Sequence, residues 1–338
     1  MKTLKRFMFY RMLFGYYYDF RSPKLVNVYK GIYCAAFVLI TSICVCYNMT
    51  FNITNSVVYT LTEFYFLVIK SFFFESKIEE YFYKILKLDK MFRIEHRIIS
   101  LKMYFIFIFV FILQLVVFLL NSNKSYFIFL ISLSISISYI PQIIVFDVLH
   151  SRIKIVRHII SCKYCINFRR RDKILYKIFW VKKCIIYYKE LLNNINCIEK
   201  ELNVTLLISI IVNYPETLFQ FWNFMVHFLQ KDWTLYDALS AFCPAVIVIL
   251  TLTIAAMLAS SISQECKRIT NILLDQYIPC QDKLLQMELY RALYYITYRP
   301  FQFCIIRAIP LSIKIPISFL SVCISHIIVA LQFGNFKI

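Results

Sequence analysis

Glycine is almost missing from this chain: only Gly15, Gly31 and Gly334 occur among 338 residues. That scarcity excludes a glycine-rich phosphate loop and a GxxxG helix-packing seam, and it argues against a transporter built on glycine-broken helices. Acidic residues are few as well, 19 against 38 lysines and arginines. No HExxH and no Ser/His/Asp pattern is present, so nothing points to an enzyme. A single CxxC, Cys162-Lys-Tyr-Cys165 with His158 nearby, lacks the second ligand pair a zinc site needs. No metal and no cofactor are expected. Internal repeats, low-complexity linkers and a cleavable signal peptide are also absent, which predicts one integral-membrane domain over residues 1–338.

What the chain has in excess is apolar side chain. Hydrophobic residues make up 60%, aromatic ones 18%, and the mean hydropathy is +0.66. A soluble domain so composed could not cover its own surface with polar groups, so the bilayer must be the solvent for much of it. A backbone in hydrocarbon has to satisfy its own hydrogen bonds, which leaves helices or closed barrels. The apolar runs are long enough for a helix to cross about 30 Å of hydrocarbon and lack the alternation of barrel strands. The predicted fold class is therefore all-α, a polytopic membrane protein with seven transmembrane helices. The spans fall at about 31–47, 57–74, 103–120, 126–147, 203–229, 237–261 and 311–333.

The net charge of +19 could signal nucleic acid, but in so apolar a chain it reads as basic loops held on one side of a membrane. Lysine and arginine divide 33 to 3 between alternate connecting segments. The positive-inside rule then predicts a cytoplasmic N-terminus and an extracellular C-terminus. Three glycosylation candidates, Asn48, Asn52 and Asn123, each open an Asn-x-Ser/Thr sequon on the side already read as external. The twelve cysteines avoid the short external loops, so buried thiols are expected rather than disulfides. The stretch 148–202 mixes apolar and basic residues at helical spacing without Pro or Gly. It predicts the fourth and fifth spans continuing inward as long, mutually packed helices. Residues 262–291 extend the sixth span likewise, up to a break at Pro279.

Polar residues inside spans are costly in lipid and mark cavities, partners or pores. Glu63 lies in the second span, and Lys70 sits near its inner end, where it could snorkel to the headgroups. In the fifth span the run from Asn213 to Asn223 is dense in polar and aromatic groups, with Pro215 expected to kink it. Glu216, Gln220 and Asn223 follow at spacings of four and three, on one face, with Trp222 beside them. These residues are the candidate lining of a small-molecule pocket, which Pro244 in the sixth span would help open; an interfacial Trp222 and amides bonding between helices are the plainer alternative. In the last span Ser325 and Gln332 are seven apart on one stripe, with His326 and Phe333 on the next. Such a stripe can line a narrow water path in an oligomer, or glue helices together.

Ser325-His326, five residues, Gln332-Phe333 resembles the Thr-Tyr, five residues, Gln-Phe signature that closes the seventh span of the insect gustatory receptors. Gln332 and Phe333 match directly, whereas Ser and His stand for Thr and Tyr. The seven spans, internal N-terminus and long basic fourth loop extend the resemblance over the whole architecture. The resemblance implies a plasma-membrane, ligand-gated, non-selective cation channel, a homo- or heterotetramer with like receptors that detects small tastants. It implies four copies of the seventh span around the pore, with Ser325, His326, Gln332 and Phe333 at pore or gate. It places a cytoplasmic anchor at 148–202 and 262–310 and a ligand pocket in the outer half of each bundle. The short, Ile/Phe/Tyr-rich chain is most similar to the group for bitter plant compounds, as in moths and butterflies. The related odorant-receptor channels are the nearest alternative. A G-protein-coupled receptor would need an external N-terminus, an Asp-Arg-Tyr and an Asn-Pro-x-x-Tyr that this chain lacks. A transporter would need coupled substrate flux.

Overall fold

A computed structural model describes residues 2–18, 23–48, 55–74, 76–94, 100–120, 126–161, 170–229, 234–305 and 309–333. Among them are eleven helices and one two-stranded hairpin. In chain order the helices are α1 (Lys2–Leu13), α2 (Lys24–Asn48), α3 (Asn55–Phe74), α4 (Ser76–Phe92), α5 (Leu101–Leu120) and α6 (Tyr126–Ser161). There follow α7 (Arg170–Asn196), α8 (Glu199–Leu229), α9 (Leu235–Tyr277) and α10 (Lys283–Tyr298). The hairpin pairs β1 (Cys304–Ile305) with β2 (Ile309–Pro310), and α11 (Lys314–Phe333) ends the described chain.

Each of the seven apolar spans falls on a helix: α2, α3, α5, α6, α8, α9 and α11. Five of these are long and apolar enough to cross a membrane by themselves. The span on α3 continues into α4 after a 60° bend, and α11 is a shorter apolar helix. Its 20 residues still cover about 30 Å at 1.5 Å per residue. The spans divide into central and peripheral ones. In the apolar stretch of α6 61% of residues are buried, against 11% in α5. Helix α6 is therefore the hub, packed on α9, α3 and α7, while α5 shows most of its surface to the surroundings.

The inward extension of the fourth span is continuous in α6 to Ser161. That of the fifth is not: it is the separate helix α7, which lies against α6 and stops at Asn196 before the turn at Cys197 and Ile198. Asn193, Asn194 and Asn196 explain the stop, since asparagine side chains compete for backbone groups and favour helix ends. The sixth span runs on to Tyr277, two residues short of Pro279, whose ring disfavours helix in the residue before it. Helix α10 then restarts on an N-cap, the Asp282 side chain accepting from the Leu285 N–H at 2.9 Å. Asp282→Ala should cost about 1 kcal/mol, read as a small fall in the thermal midpoint of the purified protein.

Two apolar cores result. The larger joins the inner ends of α6, α8 and α9 to α4, α7 and α10. The smaller lies between α2, α3 and the first half of α6, around Phe64 and Tyr16. Ion pairs stitch the larger one. Arg152 of α6 meets Asp89 of α4 at 2.7 Å, and the Tyr187 hydroxyl of α7 donates to the same carboxylate at 2.7 Å. Glu265 of α9 pairs with Arg157 of α6, and Glu288 of α10 with Lys182 of α7. Lys70 does not snorkel outward. It is buried and reaches Glu201 of α8 at 3.4 Å, because a carboxylate within reach outweighs a stretch to the headgroups.

The ten described cysteines are free thiols, five of them buried. Burial pushes the Cys184 thiol on α7 up to about 12, so it stays protonated in the inner bundle. Cys162 and Cys165 lie outside the described residues. Among the described residues no His, Cys, Asp and Glu cluster could hold a metal ion.

Candidate functional site

Five helices leave a polar cavity of about 60 Å³ between them. Helix α3 contributes Thr60 and Glu63, one turn apart and so on one face. Helix α8 contributes Asn213 and Glu216, again three apart. Ser132, Ser136 and Tyr139 come from α6, Gln114 from α5 and Thr251 from α9. Helix periodicity makes each pair converge, and the central position of α6 makes all five helices meet there.

The cavity groups are bonded across helices. The Tyr139 hydroxyl donates to the Glu63 carboxylate, which is buried. Thr60 donates to Glu216 at 3.4 Å, joining α3 to α8. The Gln114 amide donates to Ser136 at 2.8 Å while its oxygen accepts from Ser132 at 3.1 Å, which clamps α5 onto α6. Asn213 is buried, donates to Ser209 at 3.0 Å, and its Oδ1 has no hydrogen-bond partner among the described residues. Two carboxyl groups and an unmet amide oxygen therefore face a lining with no basic side chain. Chemically the site accepts hydrogen bonds and favours positive charge.

Of the residues the sequence proposes for a ligand pocket, Glu63 and Glu216 meet on this wall. Gln220 is buried one turn further along α8, outside the lining. Trp222 and Asn223 are half-buried and also outside it. Helix α8 passes through Pro215 without interruption. The side chain of Pro244 lies outside the described residues. Sequence reasoning missed Tyr139 and the serines, although Ser132, Ser136 and Tyr139 at spacings of four and three form a legible polar stripe in an apolar span.

The second candidate site is α11. Its Phe319, Cys323 and Ile327 are buried at spacings of four, where α11 lies on α8 and α9. Most of the other described side chains of α11 are exposed. Ser318, Ser321, Ser325 and Gln332 are all exposed and follow at spacings of three, four and seven, within a narrow arc of the helix. His326 is exposed too, but its Nδ1 lies 3.2 Å from the Tyr214 hydroxyl of α8 and 2.9 Å from the Val322 carbonyl, off the serine stripe. Phe333 ends α11, and its side chain lies outside the described residues. Asn48 ends α2, whereas Asn52 and Asn123 lie outside the described residues.

No family model matches the chain, and no curated protein matches it. Solved structures do. The olfactory receptor OR5 of the insect Machilis hrabei, in complex with eugenol, superposes with a TM-score of 0.67 over 98% of each chain at 10% identity. The structure of OR5 alone gives a TM-score of 0.65 over the same shares at the same identity. The chain has the fold of an insect olfactory receptor. With 98% of both chains aligned, the likeness of fold extends over the membrane-spanning helices and the inner bundle.

Proposed function

We propose that this chain is one subunit of a ligand-gated, non-selective cation channel, a chemosensory receptor of gustatory type in the plasma membrane. The observation that carries this is the uncovered stripe of α11. Ser318, Ser321, Ser325 and Gln332 are exposed in one line; Ser325 donates to the Ser321 carbonyl at 2.9 Å, and the Gln332 amide above all calls for water or a partner against it, because such a group is costly in lipid. Copies of α11 around a central axis supply both, as in a homo- or heterotetramer of like receptors. The cavity between α3, α5, α6, α8 and α9 is the place for a small tastant, and the bitter-compound class fits its acidic lining. The 33-to-3 charge split supports an internal N-terminus with Asn48, Asn52 and Asn123 outside. The Gln332-Phe333 ending favours the gustatory type. The fold of OR5, solved with eugenol, fits an odorant-type channel equally, and the ligand panel decides between them.

Expression in cells, alone and with other receptors of the kind, should give ligand-evoked currents reversing near zero in mixed sodium and potassium. Silence in every combination, with the protein at the surface, would sink the channel reading. Within such currents, Tyr139→Phe should shift the dose–response about five- to tenfold to the right, because Glu63 loses its donor. The reversal potential should not move. An unshifted curve would remove this cavity from ligand recognition.

A further inference from the structure

The polar cavity is not alone. Beside it lies a second cavity of about 380 Å³, walled by Phe7 of α1 and Phe14 of the turn after it, Phe107 and Val110 of α5, and Ile137 and Ile140 of α6. Apart from Tyr10, the polar members of this otherwise apolar lining are three, Gln114, Ser136 and Thr251. The same three residues border the polar cavity. The two spaces are therefore neighbours across one wall, in which the Gln114 amide stands, held by Ser132 and Ser136.

Size separates their roles. About 60 Å³ holds a few water-sized groups, enough for a polar head and no more. About 380 Å³ lies in the range of roughly 300–1,000 Å³ usual for small-molecule sites. Chemistry separates them as well. The small cavity presents the Glu63 and Glu216 carboxyls and the unmet Asn213 Oδ1, with Asn213 only 3% exposed. All three are acceptors, so a group with several N–H donors and a positive charge complements them. The large cavity offers mainly apolar contact and rewards buried carbon.

We infer that the two cavities together bind an amphiphilic organic amine. Its ammonium head sits between Glu63, Glu216 and Asn213, and its apolar body lies in the space beside α1 once Gln114 turns aside. This rests on the polar cavity being the ligand site of the proposed receptor and adds the class of ligand. It also assigns the N-terminal segment a part in recognition, through Phe7 of α1 and Phe14 of the turn after it, and makes Gln114 a specificity-determining residue.

The test is equilibrium binding to the purified full-length chain in lipid nanodiscs, with empty nanodiscs subtracted, using n-butylamine, n-octylamine and 1-octanol. Octylamine should bind at least tenfold tighter than octanol. It should exceed butylamine by about fourfold per added methylene, the worth of a buried CH₂. Glu216→Gln should abolish the preference for amine over alcohol while keeping the gain with chain length. Val110→Trp, which fills the apolar space, should do the reverse. Equal affinities for octylamine and octanol would overturn the inference, as would a chain-length gain that survives Val110→Trp. Should that variant misfold, octylamine carrying a terminal diazirine on the unaltered chain decides. Labelling of Phe107, Val110 or Phe14 supports the placement, and labelling confined to the outward-facing Phe105 and Phe109 overturns it. Because these readouts are binding, their outcome is independent of whether the chain conducts. Amine binding without current would sink the channel reading alone, and current without amine preference would sink this inference alone.

Discussion

Arg152→Ala should collapse the inner bundle, with a stability loss of about 3–5 kcal/mol, the range for stripping one partner from a buried ion pair. Arg152 is fully buried at the junction of three helices. Its guanidinium reaches Asp89 Oδ2 through Nη2 at 2.7 Å and through Nε at 3.3 Å. Asp89 Oδ1 accepts in turn from Tyr187 at 2.7 Å. Burial first, and the Asp89 charge second, push the Tyr187 hydroxyl well above its ordinary value, so it remains a donor at every physiological pH. Removing the arginine leaves the Asp89 carboxylate buried with a single neutral donor. The loss should appear as aggregated material on size exclusion and a strongly lowered thermal midpoint in detergent. Tyr187→Phe should cost less, about 1.5–3 kcal/mol, since one hydrogen bond to a charged group is lost. The paired replacement Arg152→Met with Asp89→Leu should be milder than Arg152→Ala alone, because no charge is left stranded. An Arg152→Ala protein as stable as the parent would mean that Asp89 is solvated.

Gln332→Lys should suppress cation current at least tenfold without lowering surface expression. Gln332 is exposed at the end of the serine stripe, so a longer polar side chain meets no packing there. In the proposed tetramer four ammonium groups would then ring one level of the pore. Each opposes a passing cation by about 0.5 kcal/mol at roughly 8 Å even in water-like dielectric, so four approach about 2 kcal/mol, more than a tenfold loss of rate. The shift in reversal potential under a salt gradient and the surface-biotinylated fraction, measured together, separate this from a folding defect. Full cation current from a well-expressed Gln332→Lys protein would remove α11 from the pore.

Much of this architecture is legible in the chain because hydrocarbon imposes a local rule. A helix that crosses it must be apolar over a continuous stretch, and the seven stretches correspond to α2, α3, α5, α6, α8, α9 and α11. Local stops are equally legible: Pro279 lies just past the end of α9. The asparagines between α7 and α8 carried the same kind of signal, and it went unread beneath a stronger apolar-and-basic periodicity. The polar residues of spans could be named as exceptional, Glu63 and Glu216 among them, because their cost in lipid needs no knowledge of neighbours.

Partners could not be named in that way. Glu63 and Tyr139 stand 76 positions apart, and Lys70 finds Glu201 at a separation of 131. Helical spacing says which residues share a face, but the rotation of each helix about its axis decides what that face meets. That rotation brings Asn213 and Glu216 to the cavity and turns Trp222 off it, while Asn223, on the face of Glu216, lies two turns further along the axis, though all four lie in one polar run. It also ties His326 to Tyr214 and leaves Ser318, Ser321, Ser325 and Gln332 uncovered. The sequence by itself determined which segments enter the membrane, because transfer into hydrocarbon is a local free energy summed along the chain. Only the tertiary structure decided which polar groups meet inside the membrane and which space they enclose, because packing between helices distant in sequence sets both.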